Sequence, residues 1–244
     1  MNLEKYQQYS RIARGLEKAD LVLKDARIVN VFTEEIIRGD IAIQDGIIAG
    51  IGSFHGKEER DLAGRYVCPG FIDSHLHLES TLVTPAELVT AASRHGTTTF
   101  IVDPHESANV SGLAGIDYIL DQTEDVKANV YVMMPSCVPA TAIDDNGCTL
   151  TAEDMVPYLH NSRILGLGEV MDSISVVQGE KSMHDKLELF EGRIRDGHAP
   201  FLEEGDLQAY AMAGIATDHE CSFFDYAMRE RRNGLTILVR EGSA

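Results

Sequence analysis

The chain has 244 residues, which allows one large domain or a domain with a small companion. Its 44% hydrophobic and 25% charged residues are ordinary for a globular protein, and a formal charge of −18 excludes a nucleic-acid partner, because a phosphate backbone needs a basic surface. No apolar run approaches the ~20 residues of a membrane span, no apolar stretch near the N-terminus reads as a secretory signal, and the four scattered cysteines lack C-x-x-C pairing, so a cytoplasmic protein with reduced thiols is expected.

Residues 1–18 read as an amphipathic helix rich in Lys, Arg and Gln. Residues 20–53 then break into short β-branched runs separated by turn signals at Lys24-Asp25, Thr33-Glu34-Glu35, Arg38-Gly39-Asp40 and Asp45-Gly46. The last of these, between two apolar runs, is a strong two-residue hairpin signal. A small antiparallel β module is the expectation there, and with the helix it makes a first domain over residues 1–65.

From residue 66 onward strand, loop and helix alternate. "YVCPGFIDSH" is followed by a helix with Thr84 at its N-cap, Pro85 at its first position, Glu87 completing a capping box and Gly96 at its stop. Strands are expected near 67–73, 97–103, 128–134, 163–169, 193–198, 213–218 and 235–240, with helices in "SGLAGIDYILDQ", from Thr151, in "DKLELFEG", "GDLQAYAMAG" and "SFFDYAMRERRNG". The strand candidates are near-continuous apolar runs, as in a parallel sheet covered on both faces. Repeated βα units without a G-x-G-x-x-G or phosphate-loop signature favour a (β/α) barrel over a nucleotide-binding sheet.

The polar residues at the strand ends carry the chemistry. His75 and His77 are two apart on one strand, so they face the same side and can form half of a metal site. Asp103, His105 and Glu106 close the second strand, Glu169 the fourth, His198 the fifth and His219 the sixth. In a (β/α) barrel that end of the strands holds the active site. Any one of these residues alone would pass for a polar side chain meeting water; their succession does not. A set of imidazoles and carboxylates without thiolate suits Zn2+, Mn2+ or Fe2+. Glu169 is the residue that could bridge two cations, and a water shared between them becomes acidic enough to act near neutral pH. Met133 and Met134 read as core rather than ligands, and the run from Met228 to Gly234 as a solvated helix end.

In "PGFIDSHLHLEST", "DPHESANVSG", "GLGEVM", "DGHAP" and "DHE" the chain resembles the amidohydrolase superfamily, and within it the bacterial and archaeal adenine deaminases. Residues 26–52 are similar to the β-sandwich strands that precede the barrel in such enzymes. The resemblance implies a (β/α)8-type barrel over 66–244 and hydrolysis of adenine to hypoxanthine and ammonia in purine salvage. It places His75 and His77 on one metal, Glu169 as the bridge, and His198 and His219 on a second metal. Glu169 and His219 are then the catalytic candidates, and His105 and Glu106 the substrate-binding ones. It implies a binuclear divalent centre and a small purine base as partner. Other members of the superfamily act on cyclic amides or N-acetyl groups, and a non-catalytic metal- or purine-binding fragment is a third reading.

The resemblance also implies an aspartate at the end of an eighth strand, which ligates the first metal and carries protons. Seven strands are expected here, in a stretch shorter than the ~250 residues of a complete barrel. The expectation is therefore a barrel truncated after strand seven and impaired by itself, leaving room for a homo-oligomer or a second chain that completes it.

Overall fold

A computed structural model describes residues 1–141 and 143–240. The chain divides into two compact units, Met1–Pro69 and a larger one starting at Gly70.

In the first unit, α1 (Leu3–Ala13) starts where the Asn2 side chain accepts from the Lys5 amide. The strands are β1 (Ala19–Asn30), β2 (Glu35–Gln44), β3 (Ile47–Gly52), β4 (Gly56–Asp61) and β5 (Tyr66–Val67). They form one sheet, β3-β2-β1-β4, with β5 also paired to β1. The β2–β3 hairpin turns at Asp45-Gly46, both with positive φ (51° and 74°), the mirror-image turn that suits the twist of two strands. The sheet is not purely antiparallel: β4 and β5 run parallel to β1.

Two of the expected turns are not turns. β1 continues through Lys24-Asp25 as a bulge, and β2 runs unbroken through Arg38-Gly39-Asp40. Asp40 is there because its buried carboxylate is a polar hub. It accepts from Lys24 Nζ, the Asp25 amide and the Phe54 amide. A turn-forming composition thus served a buried hydrogen-bond node.

The second unit repeats strand and helix: β6 (Phe71–Leu76), α2 (Pro85–Ser93), β7 (Thr97–Val102), α3 (His105–Ser111), α4 (Leu113–Gln122), β8 (Asn129–Met134), α5 (Ala152–Met155), β9 (Ile164–Val170), α6 (Ser173–Gln178), α7 (Lys181–Leu189), β10 (Ile194–Gly197), α8 (Glu204–Met212), β11 (Thr217–Asp218), α9 (Phe224–Arg232) and β12 (Thr236–Ile237). β6 to β10 form a parallel sheet in chain order, the wall of a (β/α) barrel. β11 and β12 pair in parallel, and the Ala216 amide donates to the Arg195 carbonyl, carrying the curl onward from β10.

The apolar runs lie where both faces are covered. Phe100, Val102, Val130, Val132, Met134, Ile164 and Leu167 pack with Ile116, Ile119, Leu187 and Phe190 of the helices into one core. Met133 and Met134 are buried there as core residues.

Local capping departs from expectation in two places. Thr84 holds the N-cap position of α2 but makes no side-chain bond, so its capping box with Glu87 does not form. Helix begins at His105 rather than near residue 111, because Glu79 Oε1 accepts from the Glu106 and Ser107 amides and so caps α3 from a distant segment. α5 does start at Thr151, with a reciprocal box to Asp154. α6, capped by Asp172, was not foreseen.

Candidate metal centre

The carboxyl ends of β6, β7, β9, β10 and β11 bring their polar residues together around Glu169. Glu169 Oε1 lies 2.7 Å from His75 Nε2, 3.0 Å from His77 Nε2 and 3.3 Å from His219 Nε2. Its Oε2 lies 3.4 Å from His198 Nδ1. The rings of His75 and His219 stack with centroids 3.7 Å apart. Glu169 and His219 are buried, at 3% and 4% exposure, whereas the His77 and His198 side chains are part-exposed.

Three backbone and side-chain devices hold the cluster in place. Asp196 Oδ2 lies 3.0 Å from His75 Nδ1, and its other oxygen accepts from Thr217 Oγ1. The Asp103 carbonyl takes His77 Nδ1 at 2.8 Å. Asp103 Oδ2 accepts from the Glu169 amide at 2.7 Å, while its Oδ1 lies 3.4 Å from His105 Nδ1. For that carboxylate to cross β9, residue 168 must lack a side chain: a Cβ there would stand 2.1 Å from Asp103 Oδ2.

These partners decide the tautomers. With Nδ1 of His75 and His77 donating to Asp196 and to the Asp103 carbonyl, both Nε2 atoms present lone pairs, only 3.1 Å apart and both against Glu169 Oε1. Two lone pairs and a carboxylate oxygen facing one point repel unless a cation or protons occupy it. Glu169 Oε1, His198 Nδ1 and both nitrogens of His219 are buried without a hydrogen-bond partner. Side chains of this kind fit divalent metal, and the Asp196 carboxylate behind His75 is the usual outer support of such a ligand.

The electrostatics agree. Burial pushes the Glu169 carboxyl up, but the imidazoles of His198, His219, His75 and His77 outweigh it and hold it well below the usual range. Burial pushes His75 down, yet Asp196 and Glu169 drive it up to about 10. His105 likewise rises to about 9 against burial, because of Asp103. The centre draws positive charge.

Of the residues singled out in the sequence, His75, His77, Glu169, His198 and His219 converge here, and His105 adjoins them through Asp103 and through its ring, 4.8 Å from that of His77. Glu106 does not join the donors. Its carboxylate accepts from Ser80 Oγ at 2.7 Å on an exposed edge. Asp196 was missed, although it precedes His198 by two residues, the same spacing as His75 and His77. Glu79, which caps α3, carried no sequence signal.

A model of the Amidohydrolase family matches residues 66–239. An adenine deaminase of Desulfitobacterium hafniense is 57% identical over 243 residues, spanning 100% of this chain and 43% of that protein. One of Clostridium acetobutylicum is 49% identical, spanning 95% of this chain and 41% of that protein. The chain thus spans about two fifths of the length of these curated relatives. Among solved structures, a zinc- and inhibitor-bound N-acyl-D-glutamate deacylase of Bordetella bronchiseptica superposes with TM-score 0.59 at 17% identity, over 91% of this chain and 58% of that one. A beta-aspartyl dipeptidase of Fervidobacterium islandicum superposes with TM-score 0.59 at 14% identity, over 91% of this chain and 64% of that one. At these identities the structures establish the fold.

Proposed function

Because the chain belongs to the amidohydrolase family, we propose that it carries the metal centre of an adenine deaminase, a hydrolase that replaces the 6-amino group of adenine with oxygen and releases ammonia. The observation that carries this reading is the convergence of four imidazoles on the buried carboxylate of Glu169, in a chain 57% identical to an adenine deaminase. His75 and His77 would hold one cation, His198 and His219 a second, and Glu169 both. Mn2+, Fe2+ and Zn2+ each suit this donor set. Divalent cations bound there would supply Lewis acidity toward water and the substrate.

The chain's own residues have separate tasks. Asp196 and the Asp103 carbonyl fix the tautomers of His75 and His77. The Asp103 carboxylate fixes Glu169 through its amide. His105, raised to about 9 by the Asp103 carboxylate 3.4 Å from its Nδ1, would deliver a proton to the departing amine. The partner is a small purine base. The four free cysteines fit a reducing compartment, and we place the chain in the cytoplasm. Association with a second copy, or with a second polypeptide that extends the barrel, belongs to the same reading.

The test is ammonia release from adenine by the purified chain, loaded with Mn2+, Fe2+ or Zn2+ in turn, alongside calorimetric titration with adenine. Adenine-dependent ammonia that disappears in Glu169→Gln is the expected result. Should no turnover occur, metal-dependent adenine binding still supports the reading. Ring opening of a dihydropyrimidine, or acetate release from an N-acetyl sugar, with no binding of adenine would overturn it.

A further inference from the structure

A second group of metal-type donors lies behind His219. Along β11 and the loop after it, consecutive side chains point to opposite sides. His219 faces Glu169, and Asp218 faces away, toward α9 and the loop residue Cys221. There Asp218, Cys221 and Glu230 place a carboxylate oxygen, a sulfur and a second carboxylate oxygen all within 4.8 Å of one another.

Asp218 and Glu230 are both fully buried, at 0% exposure. Asp218 is accounted for: its Oδ1 accepts from the Ala199 amide at 2.6 Å and its Oδ2 from the Glu220 amide at 2.8 Å. Glu230 is not. Both of its carboxylate oxygens are buried without a hydrogen-bond partner among the described residues. A buried carboxylate packed against a second carboxylate and a thiol calls for a proton or a cation.

We propose that Asp218, Cys221 and Glu230 form a separate, sulfur-containing site for a divalent cation of the zinc type, back to back with the histidine centre. Sulfur with two carboxylate oxygens is a donor set for borderline-soft ions. Donors around one such ion, each at ~2.0–2.3 Å, lie about 3.5 Å apart, so closure asks for roughly 1 Å of side-chain movement. The backbone amides on Asp218 are the outer bonds that hold a ligand in place. Access exists, because Cys221 is part-exposed and opens on a cavity of about 410 Å³ that Ser222, Phe224 and Ile237 help to line. A cation there ties α9 to the loop that carries His219, and so steadies that ligand from behind.

The histidine centre contains no sulfur, which gives this site a signal of its own. The experiment is a titration of the chelator-treated chain with Co2+, watching the near-ultraviolet sulfur-to-cobalt charge-transfer band. The band is expected to form, to vanish in Cys221→Ser, to persist in His75→Ala, and to need at least ~10-fold more Co2+ in Glu230→Gln, the scale set by losing even an outer partner. In the unsubstituted chain, Zn2+ is expected to slow alkylation of Cys221, read by peptide mapping, which tests the site even if a variant fails to fold. Absence of the band, its survival in Cys221→Ser, or Cys221 alkylation indifferent to Zn2+ would overturn the proposal.

Discussion

At the end of β6, burial and two neighbouring carboxylates act on His75 in opposite directions. His75 has an ordinary pKa of 6.5 that burial lowers, but Asp196 and Glu169 raise it to about 10. A proton on His75 therefore stabilises the cation-free fold fully below about 6.5, and that contribution is lost as pH rises through about 10. A cation competes for the same nitrogen, so its binding releases protons. Two opposite trends are expected between pH 6.5 and 9: the melting temperature of the chelator-treated chain falls, while the affinity for Mn2+ or Zn2+ rises. Asp196→Asn removes the outer carboxylate and should weaken metal binding by ~10–100-fold. Calorimetric titrations across that range, showing an affinity flat with pH, would contradict the assignment of His75 as a ligand.

At the scale of elements, two glycines separate site-building from helix-building. In β9, Gly168 lets the Asp103 carboxylate reach the Glu169 amide, and a methyl group would meet Asp103 Oδ2 at 2.1 Å. Gly168→Ala should break that bond, destabilise the fold by about 1–3 kcal/mol and displace Glu169. Gly205 in α8 has open space around its would-be Cβ and no positive φ. Gly205→Ala should therefore stabilise by up to about 1 kcal/mol. Urea melts of the two variants should move in opposite directions. Equal and small effects would mean that the Asp103–Glu169 bond has little importance.

For the whole molecule, the five-stranded parallel sheet has β6 at one edge, with no strand paired beyond it among the described residues. Phe71 and Ile72 on β6 are 63% exposed, an apolar strand edge of the kind that pairs with other chains. Association that grows with concentration is expected in light scattering, and Ile72→Lys should suppress it. A monodisperse monomer at all concentrations would show that the edge is covered by other means.

Much of this was legible in the sequence because it depends on local order. Asp45-Gly46 specifies a mirror-image turn, apolar runs of β-branched residues specify covered strands, and His75-x-His77 specifies two rings on one face whatever lies around them. Five of the clustered residues could be named for the same reason: they end successive strands, and a βα repeat puts those ends side by side. What the sequence left open depended on partners far along the chain. Asp40 looked like a turn residue until Lys24, Asp25 and Phe54 were seen to converge on it. Glu79 opens a single 3-10 turn and caps α3 from 27 and 28 residues away. Asp196 gains its role from a ring 121 residues away, and Glu230 from its burial beside Asp218 and Cys221. Spacing determines which side of a strand a residue faces; only the closing of the sheet decides what it meets there, because electrostatic contacts act across space and not along the chain.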